Sequence, residues 1–274
     1  MVTGGVTLGA THPSGGTLTH GSWVAIFIRK GGGVKTQKPS QPMTIDGRYA
    51  VDSVLGRDPQ VVTLLARQLG MQRRVVLRLL KDADHLPAFK SEVLTVASIV
   101  HPNVVKVFDS DFQPDGRAFA VFDFIEGKRL DDPAIQPPLA ASRVVGILRQ
   151  ICAALVAAHD SGAAHGRLAR KYVYLQPSNA NSQERVTVTG FGVAPDSSEQ
   201  ALAQARCSDV RAIGQLACEL LGASLDQPRS DATMIAMPEL RDIVACLTRT
   251  DTVPPTASET LTLWNELARS SSCG

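Results

Sequence analysis

From Ile45 onward, apolar and polar positions alternate in short stretches. Tyr49–Leu55, Val61–Gln68 and Arg74–Leu80 predict three strands in succession. Helical spacing of apolar residues follows from Pro87 to Val100, and Val104–Asp109 and Ala118–Phe124 predict two further strands. Beyond them helical patterns dominate: Ala140–Ser161, Asp209–Leu221, Pro238–Arg249 and Ala257–Arg269. One short hairpin, Val173–Leu175 with Arg185–Thr189, interrupts them. Strands first and helices later predict an α+β domain over 43–270 with two lobes, a small β-rich one and a larger helical one, joined near Phe122–Gly127. Residues 1–31 differ in texture. They are rich in Gly, Thr and Ser and end in Trp23-Val24-Ala25-Ile26-Phe27-Ile28, which predicts one strand, the alternative being a disordered extension. Residues 32–42, with glycines, lysines and prolines, have the chemistry of a linker, and 271–274 form a tail.

Composition narrows the classes of function. The chain is 44% apolar and 20% charged with a net charge of +2, too little to imply a nucleic-acid partner. No apolar run approaches the length of a membrane helix, so no membrane span is expected. The start, Met1 to Ala10, lacks a basic stretch followed by a long apolar one, so no secretory signal is expected either. Five scattered cysteines without a C-x-x-C pair read as reduced thiols of a cytoplasmic protein, and the six histidines form no metal-ligand spacing.

Five motifs then fall in order. They are Glu92, nine residues before the next; His101-Pro102-Asn103-Val104-Val105; Phe122-Asp123-Phe124-Ile125-Glu126-Gly127; Ala157-Ala158-His159; and Ser208-Asp209-Val210-Arg211-Ala212-Ile213-Gly214. In this order and spacing they resemble the bacterial serine/threonine protein kinases from about Ile45 to Arg269. Separately, residues 5–31 resemble the C-terminal half of a PASTA repeat, an extracellular module of membrane-spanning kinases and penicillin-binding proteins.

The kinase resemblance implies a glycine-rich loop, a strand-three lysine, a catalytic aspartate, an asparagine and a magnesium-binding aspartate. This chain departs at each position. The loop reads Gly56-Arg57-Asp58-Pro59-Gln60-Val61, where Asp58 would repel phosphates. Arg78 replaces the lysine, Arg167 the catalytic aspartate, Tyr172 the asparagine, and Gly190 the magnesium ligand. Arginine stays protonated and cannot take a substrate proton, and neither glycine nor tyrosine supplies the hard carboxylate that magnesium favours. Thr63, Val76 and Tyr174 fall on the adenine pocket and are bulkier or more polar than the residues implied there, so an occluded pocket and no cofactor are expected. Glu92, Val96, His165, Phe191 and Asp209 fall on positions with structural roles: Glu92 pairing with Arg78, and the others on the column that ties the lobes. Only 16 residues, Val193 to Ser208, separate Gly192 from Asp209, which implies a shortened activation segment.

These departures lead to the expectation of a chain that is not an enzyme and holds no metal. The expected function is a regulator or scaffold that binds other proteins, with an envelope-signalling connection resting on the PASTA-like residues. Two alternatives use the same cleft. One is a weak or altered kinase-type phosphotransferase. The other is an anion or phosphopeptide sensor built on Arg78, Arg167, Arg170 and Lys171.

Overall fold

Six strands of a single sheet open the fold in a computed structural model, which describes residues 43–177, 184–194, 197–223 and 238–270. The readings made above for 1–42 and for 271–274 lie outside the described residues. The strands are β1 (Thr44–Ile45), β2 (Tyr49–Arg57), β3 (Val61–Gln68), β4 (Arg73–Leu80), β5 (Val107–Phe112) and β6 (Ala118–Asp123). They pair antiparallel in the order β1-β2-β3-β4-β6-β5. Helix α1 (Leu86–Ser98) lies between β4 and β5 in the chain.

Alternation along β6 shows how this sheet is covered. Ala118, Ala120 and Phe122 face the larger core cluster, together with Val61, Leu80 and the α1 residues Phe89, Val93 and Val96. Phe119 and Val121 point the other way, into a smaller cluster with Ile45, Tyr49, Leu64, Leu77 and Leu79. A strand covered on both faces reads as a continuous apolar run, and Ala118–Phe122 is one. The sheet curls until its ends meet: Arg48, in the β1–β2 turn, pairs with Asp109 of β5 at 2.7 Å, and the Tyr49 hydroxyl donates to the same carboxylate at 2.8 Å. Burial and that carboxylate push the Tyr49 phenol up to about 12.

After β7 (Lys128–Arg129) come α2 (Ala141–Asp160), β8 (Val173–Gln176), β9 (Arg185–Val188), α3 (Glu199–Leu221), α4 (Pro238–Thr248) and α5 (Ala257–Ser270). Strands β7, β8 and β9 form a second antiparallel sheet. Helix α2 packs against α3, α5 and β9. On length and composition α2 could cross a membrane, which the sequence reading missed because Arg143, Arg149 and Gln150 interrupt its apolar residues. Here it is a core helix, burying Val144, Ile147, Leu148, Ile151 and Leu155 among other side chains.

Helix ends follow from local chemistry. The Ser198 hydroxyl accepts from the Ala201 amide at 3.2 Å, which starts α3. Gly222, at φ +68°, ends it with the Ala223 amide bonded back to the Cys218 carbonyl. Thr256 and Glu259 cap α5 reciprocally, amide to carboxylate at 2.8 Å and amide to hydroxyl at 3.2 Å.

Three sequence readings need correction. The helix expected at Asp209–Leu221 begins ten residues earlier, at Glu199, so much of the segment read as an activation loop is helical. The strand expected at Val104–Asp109 lies at Val107–Phe112. Residues 103–105 pair with β9 instead: the Val188 amide donates to the Asn103 carbonyl at 2.7 Å, and the Val105 amide to the Val188 carbonyl at 3.0 Å. Strands β1 and β7, two residues each, are too short to show alternation and went unread.

One packing contact gives a direct test. At Gly214 of α3, a Cβ would lie 2.8 Å from the Leu247 Cβ and 2.9 Å from the Thr248 Cγ2 of α4. Gly214→Ala is expected to lower stability by about 1–3 kcal/mol through overpacking, read from the urea midpoint. An unchanged midpoint would mean that α4 shifts freely.

Candidate functional site

Strand β4 and helix α1 place Arg78 and Glu92 side by side. The Arg78 guanidinium meets the Glu92 carboxylate at 2.6 Å, Nη1 to Oε1, with both side chains mostly buried. The segment after α2 brings a second arginine to the same atom: Arg167 Nη2 lies 3.5 Å from Glu92 Oε1, and its Nε lies 3.4 Å from the Gly190 carbonyl. The Arg167 side chain is 52% exposed, held by these long contacts and by the Tyr172 ring, 5.4 Å from its guanidinium. Together these groups line a cavity of about 630 Å³, with Asp58, Gln60 and Val61 from the β2–β3 turn, His85 and Phe89, and Gly192.

Beneath the cavity, one buried carboxylate organises the backbone. Asp209 of α3 accepts from the His165 amide at 2.8 Å and the Gly166 amide at 2.7 Å, and the His159 ring lies 3.1 Å away. Gly166 sits at φ +76°, and a Cβ there would be 2.7 Å from Val193 Cγ2, so the turn admits only glycine without strain. The buried His165 ring lies 4.9 Å from Phe191 and 5.2 Å from Tyr172, centroid to centroid. Val96 and Phe191 belong to the same core cluster.

His165 is held as the neutral ring. Its Nε2 faces the Thr189 carbonyl at 2.9 Å and therefore carries the proton, while Nδ1 faces the Arg167 amide at 3.4 Å and accepts. Burial pushes its pKa below the ordinary value. The unfolded chain thus binds a proton more readily, so the His165 contribution is complete above about pH 6.5 and is lost as pH falls toward the folded pKa. Urea unfolding at pH 7.5 and 5.5 is expected to show this loss, reduced in His165→Phe. An equal loss in the variant would assign the pH dependence to other groups, such as His101, whose pKa burial also lowers.

The remaining candidates are placed as follows. Tyr172 packs on Gly190: that glycine sits at φ +80°, and a Cβ there would meet the ring at 2.6 Å. The Arg167 and Lys171 cations lie 5.4 and 5.0 Å from the same ring. Asp58 turns inward on its own loop, accepting from the Gln60 and Val61 amides at 2.9 and 2.6 Å. Gly56, near the end of β2, has open space about it. Thr63 on β3 pairs with Gly56 and Arg78, Val76 on β4 with Leu65 and Phe122, and Tyr174 on β8 with Arg129 and Thr187. Burial raises the Tyr174 phenol pKa.

Arg170 does not join the expected basic cluster. Its guanidinium is bonded to the Leu130 carbonyl at 3.0 and 2.7 Å and to the Ile135 carbonyl at 3.2 Å, so it braces a loop. Residue type announces a charge but not where the side chain ends. Sequence reasoning also missed the Thr189 carbonyl that fixes His165, the proximity of His159 to Asp209, and His85 on the cavity wall. The first two join residues 24 and 50 positions apart, and no local pattern marks either contact.

No family model matches the chain. Among curated proteins it is similar to the serine/threonine-protein kinase pkn2 of Myxococcus xanthus, 30% identical over 157 residues, which is 56% of this chain and 19% of that protein. It is similar to pkn3 of the same organism, 31% identical over 55% of this chain and 28% of that protein. A longer match, over 72% of this chain and 34% of the relative at 24% identity, is to the serine/threonine-protein kinase PrkC of Bacillus subtilis (strain 168). The chain therefore spans only about a fifth to a third of the length of these relatives. The names correct one expectation. Arg78, Arg167, Tyr172 and Gly190, read from the sequence as replacements at catalytic positions, led to the expectation that the chain is not an enzyme, whereas the relatives are named as protein kinases, which are enzymes. Over half its length or more, the chain is a homologue of the bacterial serine/threonine protein kinases, and its mixed α/β architecture is a kinase-like fold.

Proposed function

We propose that this kinase-like domain works as a regulator that binds other proteins at the face where the Arg78–Glu92–Arg167 cavity opens. The supporting observation is the cavity wall. Its two arginines converge on one carboxylate, and its other carboxylate, Asp58, is engaged by the amides of its own turn. Such a wall offers hydrogen-bond donors to an incoming anionic group. The framework behind it, Asp209 with the His165 and Gly166 amides, gives those donors a fixed mount.

A second reading, a kinase-type phosphotransferase with altered chemistry, is favoured by the names of the relatives. Affinity capture with the full chain, followed by rebinding of each captured protein after separate purification, tests the first reading. Labelled ATP added to the reconstituted pair tests the second. A partner that rebinds without phosphate incorporation supports the regulator. Incorporation into a captured protein that does not remain bound supports the phosphotransferase.

A further inference from the structure

Two guanidiniums share one oxygen of one carboxylate, so Arg167 reaches Glu92 only at an atom that Arg78 already holds. The cavity's other carboxylate, Asp58, balances the second arginine in charge but is turned to its own loop. The Asp58 carboxylate is engaged by two amides of its own turn, and the His85 ring lies 2.7 Å from Asp82. Arg78 is held closely by Glu92, at 2.6 Å. Arg167 is not: its contacts of 3.5 and 3.4 Å are long for a charge-assisted hydrogen bond, and half its side chain is exposed. Its guanidinium also has room, because Gly192 presents no side chain and a Cβ there would be no closer than 3.5 Å.

We infer that this cavity is a site for a phosphate monoester bound without a divalent metal, with Arg167 as its principal donor and Glu92 as its internal competitor. The inference rests on the binding reading given above and adds the ligand class. A guanidinium fork matches two oxygens of a phosphoryl group, whereas at Glu92 Arg167 reaches only a single oxygen already taken by Arg78. A phosphate monoester carries close to two negative charges at neutral pH and three acceptor oxygens. It offers Arg167 a better partner than half a carboxylate. When Arg167 turns to the ligand, the Arg78–Glu92 pair is left intact, so binding does not strand a buried charge.

Calorimetric titration of the full chain tests this, with inorganic phosphate in one arm and a phosphoserine peptide in the other, each in EDTA and in magnesium. Binding in EDTA is expected, weakened at least about tenfold by Arg167→Gln, the size of one lost charge-assisted contact. Glu92→Gln removes the competitor and is expected to tighten binding several-fold. Tighter binding of the peptide marks a phosphorylated protein as the source of the ligand, and equal binding marks free phosphate. Binding that requires magnesium, or that survives Arg167→Gln, overturns the site as described. A Glu92→Gln variant that folds yet binds as poorly as Arg167→Gln overturns the competitor role. No binding in either arm overturns the phosphate site while leaving protein capture to decide the regulator reading.

Discussion

Asp209→Ala is expected to lower stability by about 2–4 kcal/mol, because it strands one buried and one partly buried amide. The His165 and Gly166 N–H groups have this carboxylate as their acceptor, and Asp209 is fully buried. Removing one partner from a buried polar group costs more than the net worth of the bond, since the remaining donor has lost its water and gains nothing. Asp209→Asn keeps one acceptor but turns an NH₂ toward an amide, so it should fall between the wild type and the alanine variant. Urea unfolding of the three proteins at neutral pH checks the order. A loss below about 1 kcal/mol for Asp209→Ala would mean that water reaches the two amides and replaces the carboxylate.

Gly190→Ala is expected to cost nearly as much, for two separate reasons. At φ +80° an L-residue pays about 1–2 kcal/mol in backbone strain. Its Cβ would also press on the Tyr172 ring at 2.6 and 2.8 Å, an overpacking cost of about 1–3 kcal/mol. Only the second cost depends on Tyr172. Tyr172→Ala and Gly190→Ala together should therefore be less destabilising than the sum of the single changes, by about 1–3 kcal/mol. Strict additivity would show that the ring swings aside without cost. The pair also explains a pattern in the sequence: a ring at 172 and a bare glycine at 190 are one packing solution.

Legibility followed physical strength of signal. The limits of β3 were read correctly because Val61, Leu64 and Ala66 are buried within a run bounded by turn residues. Strand β6 was legible to within one residue because it is covered on both faces. The first ten residues of α3 were missed although their signal was present: Ser198 followed by Glu199 is a helix start. Family spacing outweighed it. At the site, the Arg78–Glu92 pair was anticipated from the strand and helix that carry it. Its third member was not, because Arg167 lies 75 positions from Glu92 and meets it only through the folded core. Arg170, adjacent to Lys171 and identical in type to Arg167, was grouped with them on charge alone, yet the Leu130 and Ile135 carbonyls capture it.

The most direct measurement compares the wild-type chain with an Arg78→Gln/Arg167→Gln double variant in binding a reconstituted protein partner. If the arginine-lined cavity is the binding face, a double variant that folds loses partner affinity by at least about tenfold, two charge-assisted contacts having gone. Unchanged affinity in a folded double variant, with labelled phosphate passing from ATP to the partner, would contradict it and leave phosphotransfer as the function of this domain.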